Sequence, residues 1–180
     1  FFERTEGNIY RHLFNGKKIE QWKDFDRYQG KYPVITLTLK DCKAETFEGA
    51  LERIAEEVQQ EYIRHKYLPD NPDMEKSYRS TFEIIRAGNP QVQLESSLGL
   101  LTDLLTTHWG IPPLVLLDEY DTPIHTAFDK GYYDTMIGFM RNFMSKVFKD
   151  NTDIFRGVIT GILRVSKESI FSGLNNIAVD

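Results

Sequence analysis

A chain of 180 residues with 41% hydrophobic and 13% aromatic content is long enough for one packed domain, or a large part of one. Its formal net charge of −5 excludes a surface that binds nucleic acid over its whole extent, while leaving room for a local basic patch. The single cysteine, Cys42, excludes an internal disulfide, and no apolar run is long enough for a transmembrane helix, so a reducing, cytoplasmic setting is expected.

Phe1-Phe2-Glu3-Arg4 is not a signal peptide, because it lacks a basic segment and a long apolar core. It also lacks an initiator methionine, so the chain reads as a piece of a longer protein. Residues 1–31 are polar and mixed, with helical character from Asn8 to Phe14 and a turn at Asn15-Gly16. Trp22, Phe25 and Tyr28 recur at helical spacing and read as a packing face rather than a stacking platform. Tyr32-Pro33 opens a β-branched run, Val34 to Leu39, which reads as a strand. Cys42 just beyond it reads as an inert thiol. Thr46 is the predicted N-cap of a helix from Phe47 to Lys66, with Leu51, Ile54, Ala55, Val58 and Tyr62 on its apolar face.

Residues 68–73 carry turn chemistry. A helix is predicted from Glu75 to Ala87, closed by Gly88-Asn89-Pro90, and another from Val92 to His108. After Pro112-Pro113 comes an apolar run, Leu114-Val115-Leu116-Leu117, which suits a strand buried on both faces of a parallel sheet. A loop is expected through Pro123 to Gly131. Tyr132 to Phe148 reads as a helix whose methionines, Met136, Met140 and Met144, belong to the core. Asp150-Asn151 reads as a turn, and Phe155 to Leu163 as a third strand. Strands separated by amphipathic helices imply βαβ units and a parallel sheet. The histidines, His12, His65, His108 and His125, are scattered and offer no zinc-type spacing.

The chemistry concentrates after Leu117, at Asp118-Glu119-Tyr120-Asp121. Open α/β sheets bind ligands at the carboxyl ends of their strands. Adjacent acids there split two roles, one toward Mg²⁺ and the other toward a water. That is the Walker B pattern of P-loop ATPases. A plain strand-to-loop junction fits the same residues. Thr160, near the end of the third strand, is a candidate to hold an attacking water or sense a γ-phosphate; it also fits an ordinary β-branched strand position. Arg164 and Lys167 follow, as phosphate-stabilising cations or as solvated charge.

Leu116 to Ile124, with Gly131-Tyr132-Tyr133-Asp134, Met140 to Phe143 and Thr160 to Asn176, resembles a bacterial family of AAA-ATPase-like proteins. Lys31 to Ile35, preceded by Trp22, resembles that family's second strand. In much of the family a PD-(D/E)XK nuclease-like region follows the ATPase part. The resemblance implies a three-layer P-loop NTPase-like α/β fold of the ASCE type, with strand order 5-1-4-3-2. The strands here would be the second, third and fourth. It implies ATP and Mg²⁺ in the parent protein, with Asp118 helping to hold Mg²⁺ mainly through water, Glu119 as general base, Thr160 positioning the water and Arg164 at the phosphate.

The sequence contains no G-x-x-x-x-G-K-[ST] segment, so residues 1–180 are expected to be a partial domain carrying Walker B and sensor elements, without the P-loop and inactive by itself. The edge at residues 157–162 would then pair with another strand or a second copy of the chain. The reading from a different class is a regulatory or protein-interaction module with a vestigial nucleotide site. A nuclease reading, with Asp118, Glu119 and Asp121 holding two metals, lacks a lysine at the required spacing, which leaves nucleic acid to regions outside this chain.

Overall fold

The computed structural model describes residues 1–89, 94–149, 151 and 154–162. Within them a parallel sheet has the order β1 (Val34–Thr38), β2 (Leu114–Asp118), β3 (Arg156–Ile159). Thr38 lies opposite Asp118, and Leu117 opposite Ile159. The strand at 114–118 is therefore central among the described strands. β3 is shorter than predicted, and Leu163 lies outside the described residues.

Around this sheet stand α1 (Phe25–Tyr28), α2 (Phe47–Arg64), α3 (Lys76–Arg86), α4 (Leu94–Trp109), α5 (Thr122–Lys130) and α6 (Tyr133–Phe148). The side chain of Thr46 caps α2 by accepting from Gly49 N at 3.2 Å. Ala50, Ile54, Ala55, Val58 and Tyr62 bury, while Leu51 is only partly covered. α3 stops where Gly88 takes φ 86°, a conformation that favours glycine. The methionines of α6 fill the core.

α2 packs on β1, α3 and α4; α4 packs on α6, and α6 on α5. Helices from the β1–β2 crossover thus touch a helix from the β2–β3 crossover, which puts both on one side of the sheet. Chirality explains this. Two right-handed crossovers stepping in the same direction lay their helices on the same face. Ile35, Leu37, Val115 and Leu117 point into that layer and are buried. On the opposite face Thr36, Thr38 and Val158 are exposed and Leu116 is half-buried. The apolar run of β2 is therefore not buried on both faces at Leu116. The third layer of the expected three-layer architecture is not among the described residues.

The expected loop at 123–131 is instead a helix, α5. Pro123 sits in its first turn, where a missing N–H costs nothing. Ile124 and Ala127 bury together, and Gly131 at φ 80° ends the helix. The predicted helix at 8–14 is reduced to short 3₁₀ turns, Glu6–Asn8 and Arg11–Phe14. Trp22 and Tyr28 stack at 5.4 Å, and Phe25 is buried against Phe1 and Phe14.

The outer edge of β1 is closed by side chains of α2. Glu61 Oε1 accepts from Thr36 N at 2.9 Å, and Arg64 donates to Val34 O. His65 Nε2 lies 3.2 Å from the same carbonyl. Burial alone would raise the Glu61 carboxyl, but hydrogen bonds from His65 and Arg64 outweigh it and hold it below the usual carboxylate range. Burial also pushes the Cys42 thiol up to about 12, which leaves it protonated and inert at neutral pH. No helix among the described residues is long and apolar enough to cross a membrane.

Candidate functional site

Asp118 is the last residue of β2, and its carbonyl accepts from Leu39 N at 2.9 Å, so the backbone is still held in the sheet where the acidic run begins. Its carboxylate emerges at the carboxyl edge and is exposed. Thr160 directly follows β3. Its N–H donates to Leu117 O at 2.9 Å and its carbonyl accepts from Tyr120 N at 3.2 Å. These two backbone bonds bring the Thr160 hydroxyl onto Asp118, where Oγ1 donates to Oδ1. Oδ2 of Asp118 makes no hydrogen bond among the described residues.

Glu119 leaves the strand in the left-handed region, at φ 51°, which a side chain beyond Cβ enters at a cost. The kink turns the chain into α5. Thr122 N donates to Glu119 O at 3.1 Å, and Thr122 Oγ1 donates to Glu119 Oε2 at 3.2 Å. The half-buried Glu119 carboxylate is thereby fixed from the first turn of α5.

Asp121 is 3% exposed, and its Oδ2 accepts from Ile162 N at 2.8 Å. Gly161 passes so close that a Cβ there would lie 2.7 Å from Asp121 Oδ1 and 2.7 Å from Tyr120 Cε1. The three sequence-predicted residues Asp118, Glu119 and Thr160 thus share one edge of the sheet. Thr160 meets Asp118, and Glu119 is held by Thr122 instead. Arg164 and Lys167 lie outside the described residues. Sequence reasoning missed Thr122 and placed Asp121 only as a metal-binding acid. The signals that bear on them are an Asp-Thr-Pro start to a helix and a glycine directly after Thr160.

Among the described residues no three His, Cys, Asp or Glu side chains converge as a metal cage. Mg²⁺ keeps several waters and takes one or two carboxylates. An exposed Asp118 with one oxygen already oriented by a hydroxyl fits that demand. A cleft of about 660 Å³, walled by Arg4, Tyr67, His108 and Trp109, lies instead where α2 and α4 end, near the amino-terminal start of β1.

A parallel sheet whose central strand ends in adjacent acids, with a hydroxyl from the next strand on the first acid, is consistent with an α/β protein of the P-loop type. The model of the AAA-ATPase-like family, described as a predicted AAA-ATPase, matches residues 1–171, and the chain belongs to that family. No curated protein and no solved structure matches it. Membership carries nucleotide binding as the family's general chemistry.

Proposed function

We propose that this chain supplies the Walker B and sensor elements of a Mg²⁺-dependent ATPase. The observation that carries the reading is the hydrogen bond from Thr160 Oγ1 to Asp118 Oδ1 across β2 and β3, at the edge where such sheets hold nucleotide. Asp118 would hold Mg²⁺, with the Thr160 hydroxyl orienting one of its carboxylate oxygens. Bound there, Mg²⁺ would neutralise charge on the phosphate oxygens. Glu119, steadied by Thr122, orients a water and takes its proton. In this reading the Thr160 hydroxyl registers the terminal phosphate and Arg164 provides a cation for it.

The 180 residues contain no Walker A segment, so in this reading the phosphate cradle is supplied by sequence other than these residues. By themselves they bind nucleotide weakly and hydrolyse almost nothing, since the cradle provides most of the positioning in this chemistry. The same reading places a further strand, or a second copy, against the outer edge at 157–162. Support comes from the contrast between the two edges: side chains of α2 close β1, whereas Arg156, Gly157 and Val158 are exposed.

Calorimetry of ATP with Mg²⁺ tests the proposal, on these 180 residues and on the full-length gene product. Tight binding by the full-length protein, lost on Asp118→Ala, is the expected result. No binding by either form would overturn it and leave the regulatory module with a vestigial site, a reading that a full-length gene product without a Walker A segment would favour.

A further inference from the structure

We infer that Asp121 is the positioning residue that keeps Thr160 on Asp118. An aspartate at the residue before a helix ordinarily caps it, by accepting from an N–H of the first turn. Asp121 occupies that position before α5 but makes no such side-chain bond. Its carboxylate reaches across 41 residues of sequence to Ile162 N instead. The helix forgoes a side-chain cap from it, and a nearly fully buried carboxylate accepts from the loop after β3. Local rules broken in this way tend to mark positions that serve something other than the helix itself.

The loop it grips is the one that carries the hydroxyl. Thr160 N is tied to Leu117 O, Thr160 O to Tyr120 N, and Ile162 N to Asp121 Oδ2. Gly161 lies between these ties, with no room for a side chain against Asp121 and Tyr120. Thr160 is therefore held from both sides. On the side toward Ile162, the side-chain tie is Asp121. Releasing it lets the chain after β3 lift from the end of β2, and the Thr160 hydroxyl leaves Asp118. Asp121 acts through Thr160, by accepting a hydrogen bond rather than by carrying charge to a metal.

The activity arm of the test rests on the ATPase reading. ATP hydrolysis by the full-length protein should lose about tenfold in kcat on Asp121→Ala, the size of one lost positioning hydrogen bond, with KM for ATP nearly unchanged. Gly161→Ala, which pushes the loop outward while leaving the carboxylate in place, should give the same loss. Asp121→Asn, which keeps an acceptor oxygen, should restore most of the rate. The double variant Asp121→Ala with Thr160→Val should be no slower than Thr160→Val alone, because both act on one contact. Multiplying losses would overturn the inference. An Asn variant as impaired as the Ala variant, with weakened Mg²⁺ dependence, would make Asp121 a metal ligand and also overturn it.

Amide exchange separates this inference from the ATPase reading. If the full-length wild type hydrolyses no ATP, that reading fails, and exchange at Ile162 alone decides the inference. Exchange at Ile162 faster by about tenfold or more in Asp121→Ala, with β2 still protected, supports the clamp. An unchanged rate at Ile162 overturns it.

Discussion

Glu119 holds a backbone conformation that costs a residue with a side chain roughly 1–2 kcal/mol, and it does so one residue beyond the strand that carries the site. Glycine there would relieve that cost but lose the carboxylate and its bond from Thr122. The two effects nearly cancel, so Glu119→Gly should change unfolding free energy by less than about 1 kcal/mol in urea melts. The same variant, and Glu119→Gln, should lower ATP hydrolysis by the full-length protein about 10²-fold or more while ATP binding persists. A large loss of stability with intact turnover would show that Glu119 serves the fold rather than the water. Glu61 makes a separate prediction at this scale. Its carboxyl titrates below the usual 4.5 in the folded chain, through hydrogen bonds from His65 and Arg64 against the opposing effect of burial. A depressed carboxyl stabilises the fold fully above its unfolded value and stops doing so as pH falls through the folded one. Wild-type stability should therefore fall below about pH 4.5 more steeply than that of Glu61→Gln, as measured by urea melts across that range.

Among the elements, β3 depends on a glycine. The position of a Cβ on Gly157 is taken by the ring of Phe148 at the end of α6, so β3 can approach α6 only without a side chain there. Gly157→Val should cost about 1–3 kcal/mol by overpacking, read from denaturant unfolding, with Phe148 displaced. α5 shows why the stretch after Asp121 reads as a loop in the sequence. Proline and threonine are turn signals when read locally. They become a helix start because Ile124 and Ala127 find a buried surface, a cue only nine residues of weak pattern can carry. Thr46, by contrast, was legible: a hydroxyl before a long amphipathic run, with its bond to Gly49 N in place.

The molecule as a whole presents two unlike edges. Glu61, Arg64 and His65 occupy the outer backbone groups of β1, which removes that strand as a template for pairing. No such side-chain cover lies on β3 among the described residues. If the sheet extends by a second copy at 157–162, Val158→Lys should shift sedimentation of the 180-residue chain toward the monomer, since an edge charge blunts strand pairing. Identical sedimentation of wild type and variant would overturn that pairing. The open face beside this edge has the same origin as the helix layer: both crossovers step in one direction and leave their helices on one side.

The sequence by itself determined what depends on neighbours a few residues apart. Apolar runs marked β1 and β2, 3.6-residue periodicity marked α2, α4 and α6, a Gly-Asn-Pro stop closed α3, and the stretches Leu116–Ile124 and Thr160–Asn176 carried the family resemblance. The tertiary structure decided what depends on distance. It put the crossover helices on one face, turned 122–130 into a helix, aimed Thr160 at Asp118, and spent the Asp121 carboxylate on Ile162 rather than on its own helix. Contacts across some forty residues follow strand order and chirality, which no local spacing of residue types records.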